Sequence, residues 1–232
     1  MTFEEKLAQA RATVAEALAD GRPACVTSSF QNEDMILARL VMEKQPDVPV
    51  LFLDTGYHFA ETYEYRDRMA AEWKMNLVNL LPRQTVAEQE AQFGILYQSA
   101  PDRCCGFRKV EPLFEAVAKY DVWFTGLRRE QSPTRANLQP IDRFKLPAGK
   151  ELLKVSPLAM WTNREVWAYM KEHGIPMLPL YDRGYTSIGC EPCTTPPASE
   201  ADARSGRWGG KKLECGIHIG APIEGAAASE SH

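Results

Sequence analysis

The sequence predicts an α/β fold: one domain with a mostly parallel sheet flanked by helices, followed by an irregular carboxyl-terminal segment. Three observations lead there. Short apolar runs alternate with amphipathic helical stretches through the first two-thirds of the chain. The strongest run, Val48-Pro-Val-Leu-Phe-Leu53, is almost wholly apolar, as expected for a parallel strand covered on both faces. From Pro176 onward the texture changes: Pro and Gly become frequent and no long period survives.

In order, residues 3–19 carry Leu7, Ala10, Val14, Ala17 and Leu18 at a helical period. Residues 23–27 read as a short buried strand running into a polar loop at 28–34, and residues 35–42 as a helix. The strand at 48–53 stops at Asp54-Thr55-Gly56, and residues 59–73 are strongly helical. Strands are expected at 77–81, 122–125 and 152–155. The last leads to a helix capped by Thr162 or Asn163 and ending near Gly174. No internal repeat and no interdomain linker interrupts this order.

Composition excludes several classes of function. A chain of 232 residues fits one large domain. Lys and Arg total 27 against 31 Asp and Glu, a net charge of −4, so no bulk electrostatic binding of nucleic acid is expected. The longest uncharged run, residues 91–101, falls far short of the ~20 residues needed to cross a bilayer, so no membrane span is expected. The amino terminus, Met-Thr-Phe-Glu-Glu-Lys, lacks the basic and apolar regions of a signal peptide. The expected location is cytoplasmic.

Three polar loops follow predicted strands, at the sheet edge where open α/β proteins bind ligands. In the first, the hydroxyls of Ser28 and Ser29 and the free N–H groups of a helix start suit an anion. In the second, Asp54 could take a ribose hydroxyl, with Thr55 beside it, and Gly56 permits close approach. The third, residues 125–135, places Arg128, Arg129 and Arg135 within eight residues, and arginine forks match phosphate or sulfate oxygens. Alone, each reads more readily as something bland: a helix cap, a chance tripeptide and a solvated face. Together they suggest a nucleotide carrying anionic groups.

The cysteines are sharper. Cys104 and Cys105 are adjacent, Cys190 and Cys193 form a C-x-x-C pair, and Cys215 stands apart near the end. Two pairs and a lone thiol suggest a four-thiolate metal site and a separate reactive cysteine. Adjacent cysteines close a tetrahedral zinc site poorly, whereas an iron–sulfur cluster offers several iron corners to neighbouring thiolates. Zinc and a vicinal disulfide at Cys104-Cys105 stay open at this point. Around Cys215, glycines at 206, 209, 210, 216 and 220 predict a mobile arm. Arg204, Arg207, Lys211, Lys212 and His218 would favour its thiolate. Cys25, in its apolar strand, is expected to be structural.

These motifs together resemble the assimilatory sulfonucleotide reductases, in particular the iron–sulfur adenylyl-sulfate (APS) reductases. The matching segments are Ser-Ser-Phe-Gln-Asn-Glu-Asp at 28–34, Leu-Asp-Thr-Gly at 53–56 and Cys-Cys-Gly-Phe-Arg-Lys at 104–109. The arginine loop at 125–135, Gly-Cys-Glu-Pro-Cys-Thr at 189–194 and Glu-Cys-Gly-Ile-His at 214–218 complete the set. The resemblance implies the adenine-nucleotide α-hydrolase-like fold, with a PP-loop-related first loop. The glycines of the Ser-Gly-Gly-x-Asp-Ser form are replaced here by Ser29 and Phe30, which weighs against cleavage of a triphosphate.

By this resemblance Cys104, Cys105, Cys190 and Cys193 hold a 4Fe-4S cluster, and Cys215 attacks the sulfur of APS to form an S-sulfocysteine. Lys109, Arg128, Arg204 and Arg207 would neutralise the phosphosulfate, with Arg129 and Arg135 nearby. Ser28, Ser29, Glu33, Asp34, Asp54, Thr55 and Gly56 would hold the adenosine and phosphate part, and His218 would tune the thiol. Reduced thioredoxin or glutaredoxin would release sulfite, and the family is compatible with a homo-oligomer. The expected organisation is a reductase domain over 1–220, with 195–220 a mobile catalytic arm and 221–232 a disordered tail. The rivals are a 3′-phosphoadenylyl-sulfate (PAPS) reductase or dual use of both substrates. Further off stand an ATP-dependent RNA thiolase on the same fold and a zinc-stabilised interaction module.

Overall fold

Six strands form one sheet in the order β3-β2-β1-β4-β6-β5: β1 Ala24–Thr27, β2 Pro49–Leu53, β3 Asn76–Leu80, β4 Val122–Phe124, β5 Ile141–Lys145 and β6 Glu151–Val155. The computed structural model describes residues 1–198 and 204–210 together with Glu214, Gly216 and Ile217. Cys215, His218 and the expected tail lie outside the described residues. All strand pairs are parallel except β5–β6.

The central strands are apolar because both faces are covered: Cys25, Val26, Val50, Phe124 and Trp123 are fully buried. Edge strand β3 carries Asn76 and Asn79, and edge strand β5 carries Asp142, Arg143 and Lys145. That charge hid β5 from sequence reasoning, which expected no strand there. It is the antiparallel partner of β6, with Asp142 opposite Lys154.

Helices α1 (Phe3–Leu18), α2 (Asn32–Met42), α3 (Ala60–Glu72) and α8 (Asn163–Glu172) contribute to the larger apolar core, which includes Val14, Ile36, Met69 and Tyr169. Helix α7 (Glu111–Val117) packs a second cluster of Leu113, Val117, Trp123 and Phe144. Thr2–Glu5 and Thr162–Glu165 form reciprocal capping boxes, so the cap expected at Thr162 or Asn163 is Thr162. A Lys6–Glu165 ion pair at 2.9 Å joins the starts of those two helices.

Between β3 and β4 the sequence reading assigned no element, yet the chain is helical there: α4 (Val86–Phe93), α5 (Leu96–Ser99) and α6 (Pro101–Cys105) precede α7. Gly106–Val110 forms a π-helical turn joining α6 to α7. Such widened turns re-aim side chains and recur at functional sites. This one follows Cys104-Cys105 and carries buried Arg108 and Lys109.

Among the described residues no helix is long and apolar enough to cross a membrane.

Candidate active site

The chain leaves β1 toward β2 and β3 on one side, then returns to β4 on the other. The β1–β4 boundary is therefore the topological switch point, where the outgoing loops diverge and leave a crevice. A cavity of about 1130 Å³ lies there, lined by residues from the loops after β1 and β4 and by Arg204, Arg207 and Trp208.

The first loop is organised from within. Phe30 takes a left-handed backbone (φ 59°), a conformation that normally favours glycine. Its ring is fully buried, edge-on to Phe52 at 5.7 Å and to Tyr65 at 6.5 Å. The glycine-type turn thus survives the loss of glycine, secured by an aromatic anchor. Asp34 Oδ2 accepts hydrogen bonds from Ser29 N–H and Oγ–H, both at 2.6 Å. Its other oxygen lies so close beneath Gly126 that a Cβ there would stand 2.2 Å away. Burial pushes the Asp34 carboxyl up to about 6, against the opposing pull of the Ser29 hydrogen bonds. Gln31 ties this loop to the segment before Cys190, accepting from Ile188 N–H at 2.7 Å and donating to Ser29 Oγ at 2.9 Å.

The expected arginines divide. Arg128 is buried, donating to Glu33 Oε1 at 2.9 Å and to Glu130 Oε2 and the Trp161 carbonyl at 3.3 Å. Arg129 does not line the cavity; its Nε donates to the Leu138 carbonyl at 2.8 Å. Arg135 lines the cavity and pairs with Glu214. Arg204 and Arg207 arrive from the carboxyl-terminal segment. An antiparallel bridge between Thr194 and Arg207 and a 2.9 Å Thr195 N–H bond to the Gly206 carbonyl fasten that segment beside Cys193. Trp208, which sequence reasoning passed over, covers the Arg207 guanidinium at 4.5 Å. A lone tryptophan in a glycine- and arginine-rich stretch was the available signal.

Cys104, Cys105, Cys190 and Cys193 line a second, small pocket with Tyr57, Tyr97, Pro101, Pro192 and Trp208. Among the described cysteines there is no disulfide, so Cys104 and Cys105 form no vicinal bridge. Burial and the three neighbouring thiols push Cys104 up to about 11. Ionising Cys104 beside those thiols therefore calls for positive charge at the pocket. Among the described residues, no three His, Cys, Asp or Glu side chains converge closely enough for one metal ion. Four thiols lining one pocket are a donor set that fits an iron–sulfur cluster. Cys25 is remote from this group, in the second apolar cluster.

Asp54, Thr55 and Gly56 do not line the cavity, although Leu53 and His58 on either side of them do. Thr55 Oγ1 lies 3.3 Å from Cys190 Sγ, and its carbonyl accepts from Arg108 Nε. Asp54 Oδ1 accepts from Tyr63 Oη at 2.6 Å, and Oδ2 stands 3.7 Å from Arg66 Nη1. Arg108 and Gln89, which sequence reasoning did not single out, complete the support with a 3.0 Å hydrogen bond.

Lys109 and Trp208 are shared walls, lining both the cavity and the cysteine pocket. Lys109 is buried, and its charge is felt by two neighbours. It opposes the burial-driven rise at Cys193 and adds to the burial that holds the His58 imidazole down at about 4. His58 Nε2 donates to the Leu53 carbonyl at 2.8 Å, and His58 bridges to Cys190 in strand fashion.

A family model described as the phosphoadenosine phosphosulfate reductase domain matches residues 23–196. The chain is 49% identical over 196 residues to an adenosine 5′-phosphosulfate reductase of Streptomyces coelicolor, covering 84% of this chain and 81% of that one. It is 44% identical over 198 residues to a phosphoadenosine 5′-phosphosulfate reductase of Gloeobacter violaceus, covering 83% and 81%. A crystal structure of PAPS reductase from Candida auris in complex with phosphate superposes with a TM-score of 0.70 at 25% identity, over 81% of this chain and 90% of that one. With a family model matching residues 23–196 and relatives at 44–49% identity over more than four-fifths of the chain, the chain belongs to the phosphoadenosine phosphosulfate reductase domain family.

Proposed function

We propose that this chain reduces adenosine 5′-phosphosulfate to sulfite and AMP with electrons from a thioredoxin-type dithiol, in the cytoplasm. The observation that carries this reading is the shared wall: Lys109 lies between a nucleotide-sized crevice and a four-cysteine pocket.

The nucleotide lies in the crevice with its phosphate near Ser28 and Ser29, and its sulfuryl group points toward Lys109, Arg204 and Arg207. The Cys215 thiolate attacks sulfur, the bond from sulfur to the phosphate oxygen breaks, and AMP leaves with that electron pair. AMP is a good leaving group, so the main demand is neutralisation of the crowded oxygens, which the cations supply. A partner thiolate then attacks Cys215 sulfur, and sulfite departs. A second partner thiol then attacks this mixed disulfide, forming the partner's own disulfide and releasing the Cys215 thiolate, which accounts for both electrons. His218 tunes the nucleophile. The roles of Cys215 and His218 rest on the Glu-Cys-Gly-Ile-His motif.

Cys104, Cys105, Cys190 and Cys193 would hold a 4Fe-4S cluster, which when bound supplies a compact charged body that fixes Lys109. Thr55, Arg108 and Gln89 buttress those thiols from behind. Asp54 and Gly56 belong to this support, and Asp34 and Arg128 shape the crevice by holding Ser29 and Glu33.

The test is an intact mass spectrum after anaerobic mixing with APS and no reductant, with Cys215→Ser alongside. A sulfonate adduct on the parent alone, discharged as sulfite by reduced thioredoxin, is the expected result. The 44%-identical PAPS reductase makes that substrate the second arm. An adduct with PAPS alone overturns the choice of substrate, and no adduct with either overturns the mechanism.

A further inference from the structure

Glu214 precedes Cys215 in the chain, and its carboxylate is seated in full. Arg135 donates from Nε to Oε1 at 2.9 Å and from Nη2 to Oε2 at 2.8 Å, the fork geometry that makes such pairs strong and directional. Thr134 Oγ1 donates to the same Oε1 at 3.1 Å, and Arg204 Nη2 stands 4.0 Å from Oε2. The Arg135 and Glu214 side chains are only 10% and 8% exposed. All three guanidinium nitrogens of Arg135 are engaged by protein acceptors, since Nη1 donates to Gln131 Oε1. On the other side of Cys215, a Cβ at Gly216 would lie 3.4 Å from Val110, the residue after Lys109. Ile217 packs against the Leu113, Trp123 and Phe144 cluster.

We propose that Arg135 and Glu214 form a clasp that positions the chain at Cys215 against the crevice. Arg135 is then a positioning residue and not a ligand of the substrate's oxygens. The inference rests on Cys215 being the nucleophile. Lysine at 135 could not replace it, because a single ammonium cannot grip both carboxylate oxygens in one plane.

The test compares the cluster-bearing parent with Glu214→Gln, Arg135→Gln and the double variant. Three quantities are read: alkylation of Cys215 by limiting iodoacetamide, followed on its peptide by mass spectrometry; the single-turnover rate of sulfonation by APS; and affinity for AMP. Each single variant is expected to speed alkylation and slow sulfonation, both about tenfold, the size of one lost charged hydrogen-bonded contact. AMP affinity should stay within about twofold, and the double variant should be no worse than either single one. Thr134→Val should move alkylation and sulfonation the same way by less, which keeps the test open should Arg135→Gln fold poorly. Alkylation unchanged in Glu214→Gln overturns the clasp. So does a result in which Arg135→Gln loses AMP affinity while Glu214→Gln, which frees the arginine, gains it. If alkylation responds as expected but no protein is sulfonated by APS, the clasp stands and the reading of the substrate falls.

Discussion

Arg128 Nη2 donates to Glu33 Oε1 at 2.9 Å, joining the loop after β4 to the first turn of α2 across the mouth of the crevice. The two side chains are 5% and 15% exposed, so each is costly without the other. Arg128→Gln is expected to destabilise the protein by about 3 kcal/mol, the size of a buried pair broken on one side. Adding Glu33→Gln should restore most of that stability without restoring turnover. Urea unfolding of the single and double variants checks this, and additive losses would count against it.

Phe30 reverses the usual order of alanine and glycine. Phe30→Ala leaves a cavity costing about 3–5 kcal/mol and keeps the left-handed strain. Phe30→Gly removes the same ring but relieves about 1 kcal/mol of that strain. The glycine variant should melt at the higher temperature, although glycine is ordinarily the more disruptive of the two.

Asp34 sets a pH window. Its carboxyl titrates near 6 in the fold and near the ordinary 3.8 when unfolded, because burial disfavours its charge. Between those values the native state binds more protons. This contribution to stability is therefore full below about pH 4, declines as pH rises to about 6, and is level above. Asp34→Asn retains an acceptor for Ser29 and should match the parent near pH 4. At pH 7.5 it should exceed the parent by about 3 kcal/mol in urea unfolding. A parallel pair of pH curves would refute this.

A Cβ at Gly189 would lie 2.2 Å from Arg207 Nη2 and 2.6 Å from its Cζ. Gly189→Ala should therefore displace Arg207 while the cysteine motif beside it stays intact. Turnover is expected to fall about a hundredfold, comparable to losing one donor from a charge-stabilising site. Iron content and AMP affinity should be retained. Turnover within twofold of the parent would remove Arg207 from the mechanism.

The cysteines should separate by assay. Burial holds the Cys25 thiol well above its ordinary value, so it stays an inert packing group. Cys25→Ala should cost about 1 kcal/mol of stability, leaving iron, sulfide and turnover unchanged. Cys104→Ala should lose iron and sulfide, and anaerobic chelation of the parent should lower its melting temperature.

Much of this was legible in the chain. Apolar runs marked the buried strands, because a parallel strand covered on both faces has no polar register to alternate with. The spacing of Cys104-Cys105 and Cys190-x-x-Cys193 suggested a four-thiol group, and all four line one pocket. Edge strand β5 and the helices around the cysteines were not legible. Their sequence is set by partial exposure and by the cysteine pocket, so no clean period remains.

What the sequence by itself determined is the set of chemical groups: the hydroxyl loop, the arginines, the paired thiols and the motif around Cys215. Only the tertiary structure decided which of them face one another. The reversal of strand order at β1 and β4 opens the crevice between their loops, and Leu53 and His58 line it while Asp54, Thr55 and Gly56 between them do not. Asp54 and Thr55 therefore serve Tyr63 and Cys190, whereas Lys109 serves both sites. The partners of Arg128, Arg129 and Arg135 are likewise fixed by contacts distant in sequence or by a local carbonyl. The physical reason is that residue type gives an arginine its charge, while the acceptor that uses it is chosen by where the sheet places the neighbouring loop.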